Sequence, residues 1–357
     1  MSAPELILKF CGKRARIVPN IIVCECVVIP MSIRTLIPLI LRTMLLLPVL
    51  TWAQGAIEAA TVPLKLMRVA PSVYFVQGES AIGSAANQNF ISNAGIVLTS
   101  EGVVVIDALG SPPLAQRLID EIATVTRLPV KMVIVTHYHA DHIYGLQAFK
   151  ARGAQIVGHQ AAREYLHSDT ARLRLEASRQ ELFPWVDETT RLLEPDRWID
   201  DEAMIRVGDT EFILRHVGPA HTPEDLVVYL PQAGVLFAGD LVFRGRIPYV
   251  GQANSRRWID AIDKLMSFQA RLIVPGHGPV SDQTLTDMRT TRDYLAYLRQ
   301  TMGEAARNME SFEEAYARVD WSRFAGMPLF TVANRMNAYN TYLLMEQEAQ
   351  AGGGDGR

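Results

Sequence analysis

From Leu64 onward the hydrophobic residues fall into short β-branched runs separated by Gly, Ser or Asn: "VYFVQG", "NAGIVLTS" and "GVVVIDAL". Apolar runs of this length bounded by turn residues predict strands. A helix is expected over Pro113 to Thr126, followed by a buried strand in "VKMVIVT". The pattern then continues with a helix through "GLQAFKARG", a strand "AQIVGH" and a charge-rich helical segment from Gln160 to about Leu182. Strands alternating with helices predict α/β layering.

A second block repeats the same plan. "MIRVGDTEFILRHVG" and "DLVVYLPQAGVLFAGD" read as strands, "SRRWIDAIDKLMSF" as a helix and "RLIVPGH" as a closing strand. The chain thus runs one scheme twice, strands and then strand–helix–strand, over residues 64–280. Beyond Gly278, "SDQTLTDMRTTRDYLAYLRQTM" and "SFEEAYARV" have helical spacing. Residues 281–347 are expected to be a helical extension of the same domain. Residues 348–357, ending "AGGGDGR", are expected to be a disordered tail.

The first 55 residues have a different texture, with long apolar runs and almost no acidic side chains. Read from Met31, they carry the parts of a secretory signal: Arg34 near the start, an apolar stretch to Leu50 and a small-residue exit at Thr51-Trp52-Ala53. Cleavage after Ala53 or Gly55, a true start at Met31 and export to the periplasm are the expectations. Pro38, Arg42 and Pro48 interrupt the stretch, which is shorter than the roughly 20 apolar residues of a spanning helix. No permanent membrane anchor is expected.

Composition narrows the function. With 49% hydrophobic and 20% charged residues the chain can bury a large core. Past residue 53 it holds 29 basic and 36 acidic residues, a net charge of −7, which repels nucleic acid and favours a small-molecule substrate. All three cysteines, Cys11, Cys24 and Cys26, lie in the leader, so no thiolate is available as a ligand or disulfide partner in the expected mature chain.

The chemistry concentrates in "THYHADH". His137, His139, Asp141 and His142 come directly after a predicted buried strand and offer the imidazole and carboxylate ligands that divalent zinc takes when no thiolate is present. The i, i+2 spacing lets His137 and His139 point the same way from an extended turn. Asp141 and His142 open the next helix, where they can face a second ion. His221 in "VGPAHTPEDLVVYLP", Asp240 in "VLFAGDLVF" and His277 in "LIVPGHGPV" each end or follow a predicted strand beside Gly or Pro. Five of the eight histidines are then candidates. His159, His167 and His216 have no partners at such spacing and read as ordinary core or surface residues.

This arrangement resembles the metallo-β-lactamase-fold metallo-hydrolase superfamily, over roughly Leu64 to Pro279. The resemblance implies an α/β fold, an αββα four-layer sandwich with a C-terminal helical extension, and two zinc ions per chain, with iron or manganese as alternatives. It implies that His137, His139 and His221 hold one ion, that Asp141, His142 and His277 hold the other, and that Asp240 bridges them. Asp107, ending "VVVID", matches the aspartate that orients the histidine loop from behind. A zinc-held hydroxide would attack the scissile bond, with Asp141 as the catalytic residue that orients it and passes on its proton. In "GDLVFRGRIPYVG", Arg244 and Arg246 are candidate partners for a substrate carboxylate and Tyr249 is a candidate aromatic wall.

Within the superfamily, one lactamase branch places a cysteine where this chain has Asp240, and another lacks the bridging carboxylate. An aspartate bridge is found in thioesterases, lactonases and several periplasmic hydrolases. The expected activity is hydrolysis of an ester, thioester, lactone or amide bond of a small molecule, with β-lactam hydrolysis and a mononuclear iron persulfide dioxygenase as the alternatives. The flavin-linked diiron relatives usually have a glutamate in place of the second loop histidine, whereas this chain has His139.

Overall fold

The computed structural model describes residues 59–352 and a separate short hairpin, β1 (Arg16–Val18) paired antiparallel with β2 (Ile21–Val23). The apolar stretch and cleavage site of the expected leader, the three cysteines and residues 353–357 lie outside the described residues.

The first sheet contains β3 (Met67–Ala70), β4 (Val73–Val76), β5 (Ala94–Leu98), β6 (Val103–Ile106), β7 (Val130–Ile134), β8 (Gln155–His159) and β9 (Arg197–Ile199), adjacent in chain order. Pairing is antiparallel from β3 to β6 and parallel from β6 to β9. The parallel step from β6 to β7 is made by α1 (Pro112–Ala123). Ser111 starts this helix by accepting the Leu114 N–H at 3.4 Å, and prolines fill its first positions, where no N–H is needed. Leu114, Leu118 and Ile122, at spacings of four, form its buried face. Each is worth about 1.5–3 kcal/mol when taken out of water. All four residues of β6 are buried because both faces of the sheet are covered.

The second sheet repeats the scheme with β10 (Glu202–Val207), β11 (Thr210–His216), β12 (Leu226–Leu230), β13 (Val235–Phe243) and β14 (Leu272–His277). It is antiparallel until the last pair, which is parallel and joined through α6 (Ser255–Met266). Phe75, Val104 and Ile134 of the first sheet meet Phe212, Val228 and Phe237 of the second in one core. The outer face of the first sheet packs against α1, α2 (Ala140–Ile143) and α3 (Leu146–Lys150), with Leu118, Ile143 and Phe149 buried. The outer face of the second packs against α6 and the C-terminal helices through Trp258, Leu295 and Leu298. The result is the expected αββα sandwich.

The helix expected over Gln160 to Leu182 is two helices, α4 (Ala162–Leu166) and α5 (Asp169–Glu181). Ser168 between them adopts extended backbone, and its hydroxyl accepts the Ala171 N–H at 3.1 Å, so a new helix begins there. The C-terminal extension comprises α7 (Thr284–Arg307), α8 (Phe312–Arg318), α9 (Ser322–Ala325) and α10 (Phe330–Gly352). The expected tail from residue 348 therefore needs correction: α10 continues through 348–352, where "EAQAG" still offers good helix formers. No helix among the described residues is long and apolar enough to cross a membrane.

Candidate metal centre

The parallel strands β6 and β7 end side by side, and Asp107 ties together the turns beyond their ends. Its Oδ1 accepts the Thr136 N–H at 2.8 Å, and its Oδ2 accepts the Thr136 hydroxyl at 2.8 Å and Nδ1–H of His142 at 2.9 Å. Asp107 does this from a left-handed backbone, φ +64°, a region that Asp tolerates better than most residues. With its Nδ1 proton committed, His142 turns Nε2 into the site.

Two groups of donors converge there. In the first, His139 Nδ1 lies 3.2 Å from His137 Nε2 and 3.0 Å from His221 Nε2. Asp240 Oδ2 is 3.5 Å from His221 Nε2 and 3.8 Å from His137 Nε2. In the second, Asp141 Oδ2 is 3.3 Å from His277 Nε2 and 3.6 Å from His142 Nε2. Asp240 reaches this group too, with Oδ1 3.3 Å from His142 Nε2 and Oδ2 3.2 Å from His277 Nε2. All seven residues named from the sequence thus meet, and the aspartate sits between the two sets.

The donor set fits divalent cations. A tetrahedral ion with bonds of about 2.0–2.1 Å needs donors about 3.4 Å apart, and the observed separations bracket that value. His142 Nε2 and Asp240 Oδ1 are buried with no hydrogen-bond partner, a costly arrangement that a cation would relieve. Burial, the largest influence on each, holds the His137 and His221 imidazoles well below the ordinary histidine pKa and lowers His139 as well, keeping all three neutral and able to coordinate. For His142 burial also pulls downward, but the carboxylates of Asp141, Asp240 and Asp107 outweigh it and raise its pKa well above the usual value. For Asp240 burial pulls upward, and His277, His142 and His137 overcome it, holding the carboxyl well below its usual range.

Asp240 lies inside β13 rather than at its end. The β13–β14 register slips there: Gly239 faces Pro275, while Phe243 faces His277. Extra residues on one strand form a bulge that re-aims the side chain toward the site. Gly276 makes room, since a Cβ at that position would stand 2.0 Å from Asp240 Oδ1.

Several supporting residues escaped the sequence reading. Glu224 Oε1 accepts the Tyr138 N–H at 3.0 Å, tying the His221 loop to the histidine turn. Asp225 holds that loop through the Thr222 N–H and hydroxyl, both at 2.8 Å. The Ser92 hydroxyl donates to the Asp141 carbonyl, Ile91 O accepts Nδ1–H of His277 at 2.7 Å, and Asn93 Nδ2 donates to Pro275 O and Gly278 O at 2.8 and 2.7 Å. Only Asp225, three residues from Thr222 in "HTPED", had a local signal.

The three candidate substrate residues part company. The guanidinium of Arg244 is engaged with Asp287 Oδ1 at 3.2 Å and Val280 O at 3.4 Å, which ties α7 to the sheet. Arg246 is buried against the second group. Its Nη1 is 3.4 Å from His277 Nδ1, a contact only, because that nitrogen gives its proton to Ile91 O. Burial, its largest influence, lowers the Arg246 pKa against the pull of Asp240 and Asp141. Tyr249 is 41% exposed, with its ring centre 6.2 Å from that of His139 and 6.4 Å from that of His221.

Known proteins carry the same architecture. The chain is 30% identical over 205 residues to a metallo-beta-lactamase type 2 of Bacillus sp. (strain 170), covering 56% of this chain and 72% of that protein. It is 25% identical over 233 residues to a linear primary-alkylsulfatase of Pseudomonas sp. (strain ATCC 19151), covering 56% of this chain but only 44% of that protein. Among solved structures, a metallo-beta-lactamase from Pontibacter korlensis superposes with a TM-score of 0.52 at 27% identity, over 66% of this chain and 99% of the other. The sec-alkylsulfatase Pisa1 from Pseudomonas sp. shares the fold, with a TM-score of 0.63 at 19% identity over 79% of this chain and 50% of the other. The family model described as the metallo-beta-lactamase superfamily matches residues 88–277, more than half the chain and every donor of both groups, so the chain belongs to the metallo-β-lactamase superfamily.

Proposed function

We propose that this superfamily hydrolase is a binuclear zinc enzyme that cleaves an ester, thioester or lactone bond of a small anionic molecule. The observation that carries the reading is the convergence of seven donors from separate segments into two adjoining groups that share Asp240. His137, His139 and His221 would hold one ion, Asp141, His142 and His277 the other, and Asp240 both. When bound, such ions supply Lewis-acid polarisation of a substrate oxygen and bring the pKa of water toward neutrality.

The remaining work falls to the chain itself. Asp141 stands at the lip of the second group, with its side chain 16% exposed, and is placed to orient an attacking water and take its proton. Asp107 keeps His142 in one tautomer and one orientation, so that only Nε2 faces inward. Arg246 brings a buried positive charge to the same side, where an anionic substrate group can be held, and Tyr249 covers the histidine side.

A sulfate ester is a second reading, favoured by that buried arginine together with the similarity to an alkylsulfatase. β-Lactam hydrolysis is supported by the lactamase relatives and opposed by Asp240, which stands where one lactamase branch has cysteine. The test is to count metals in the purified chain by elemental mass spectrometry and to assay a thioester, a lactone, 4-nitrophenyl sulfate and nitrocefin. About two zinc ions per chain with ester-type turnover is the expected result. A single iron with oxygen consumption and no hydrolysis would replace this reading with the dioxygenase.

A further inference from the structure

The loop after Arg246 is held by the C-terminal extension. Asn337 of α10 is fully buried, and its amide brackets Tyr249: Oδ1 accepts the Val250 N–H at 2.9 Å, and Nδ2 donates to Pro248 O at 2.7 Å. One side chain thus pairs with the backbone on both sides of Tyr249, as a neighbouring strand would. Asn340, one turn on, donates to Gly251 O at 2.7 Å, and the Ile247 N–H donates to Pro328 O at 3.0 Å just before α10 begins.

The bracket is itself anchored. Asn337 Nδ2 also donates to the Tyr294 hydroxyl on α7 at 3.0 Å, that hydroxyl donates to Asn334 Oδ1 at 2.9 Å, and Asn334 Nδ2 donates to the Tyr316 hydroxyl on α8 at 3.2 Å. Three helices of the extension are therefore linked in one network, which reaches the loop backbone through α10. A buried polar network whose members are satisfied fixes geometry strongly, because any displacement strands a polar group away from water. Gly251 tightens the fit: its φ is +52°, and a Cβ there would come within 2.9 Å of the Tyr249 ring.

Tyr249 is the part of this loop that faces the first histidine group while remaining open to solvent. The family model ends at residue 277, and every residue of α10 lies beyond it. The supports of this aromatic wall thus lie outside the segment that the family model matches.

We propose that the C-terminal extension selects the substrate: Asn337 and Asn340 are positioning residues that lock Tyr249 as a fixed wall, against which the apolar part of a small ester must pack. The inference rests on the hydrolase function proposed for the site. A wall held on both sides discriminates by shape, whereas a freely moving tyrosine would accommodate short and long groups alike.

The test uses the full zinc-loaded chain and the variants Tyr249→Ala, Asn340→Ala and Asn337→Ser, with 4-nitrophenyl acetate and 4-nitrophenyl butyrate as probes. Tyr249→Ala is expected to change the ratio of kcat/KM between the two esters roughly tenfold, the scale of one or two methylenes against a pocket wall. The asparagine variants should shift the ratio in the same direction, chiefly through KM, with zinc content unchanged. Hydrogen exchange of the Ile247 and Val250 amides should accelerate in both. Asn340 is half-buried, so its variant carries the test if Asn337→Ser fails to fold. Wild-type exchange in the asparagine variants overturns the brace, and a wild-type ratio with turnover intact overturns the selection. If the wild-type chain turns over neither ester, the carboxylic-ester reading of the site falls and the selection with it, while turnover of the thioester, lactone or sulfate probe reports on the hydrolase separately and the exchange rates still report whether the brace exists.

Discussion

Two clusters of histidines occupy this fold, and their rings meet in opposite ways. At the candidate metal centre His139 meets His137 at 82° and His221 at 87°, so edges point inward and ring nitrogens converge. His159 and His216 instead stack face to face, 3.7 Å apart and 10° from parallel. One nitrogen of each ring is engaged with backbone instead: His159 Nδ1 accepts the Ala161 N–H at 3.3 Å, and His216 Nε2 donates to the Pro223 carbonyl at 2.9 Å. Proximity of imidazoles alone therefore does not single out a candidate metal site. Unshared lone pairs aimed at a common point make one, together with a carboxylate such as Asp240 to balance the charge.

Removing that carboxylate should have the largest effect. Asp240→Ala should lower bound zinc from about two per chain to one or fewer and reduce turnover roughly a thousandfold, the equivalent of about 4 kcal/mol of transition-state stabilisation. Elemental analysis and steady-state kinetics on the same preparation check it. Full metal content in this variant would mean that the histidines alone define the site.

A smaller effect is expected one layer further out. Asp107→Asn keeps the shape of the side chain but replaces one charged acceptor with a donor, loosening both Thr136 and His142. Zinc affinity should fall roughly ten- to a hundredfold. Titration with a competing chelator should place most of that loss at the second group, which contains His142, and an equal loss at both would argue against Asp107 acting through that histidine.

The stacked pair should respond to pH rather than to metal. Burial, the largest cause, and the neighbouring His216 lower the His159 pKa from 6.5 to about 4, with Asp201 and Asp200 pulling weakly the other way. The folded state thus keeps this ring neutral where the unfolded chain would protonate it. Its contribution to stability is fully present above pH 6.5 and is lost as the pH falls toward about 4. His159→Gln should flatten that part of the acid-denaturation curve relative to the parent chain while leaving zinc content intact. A curve parallel to the parent's would show that the pair does not titrate in this window.

Much of this was legible along the chain. β6, β7, β13 and β14 are largely apolar, buried runs broken in β7 only by the exposed Lys131, and the candidate ligands lie within or beside their ends, so hydrophobic pattern and donor chemistry pointed to the same places. Where expectation and structure diverge, a local feature had to compete with a periodic one. Ser168 interrupts a helical pattern by capping a new helix, and β9 is a three-residue edge strand too short to leave a pattern. Asp240 looked like the end of a strand because a bulge cannot be seen until its partner strand is known.

The kind of site is written in residue order: five imidazoles and two carboxylates at a spacing suited to metal coordination, set on alternating strands and helices. How those groups are held, and which neighbours serve them, follows from the packing of distant segments. Arg244 and Arg246 are two residues apart and chemically alike, yet one is engaged with Asp287 and the other is buried against the donors. Asn93 reaches Gly278 across 185 positions, and Asn337 reaches Pro248 across 89. Periodicity and ligand spacing are properties of neighbouring residues and survive in a one-dimensional string. The direction of a buried hydrogen bond depends on which distant segments pack together, and only the folded core fixes that.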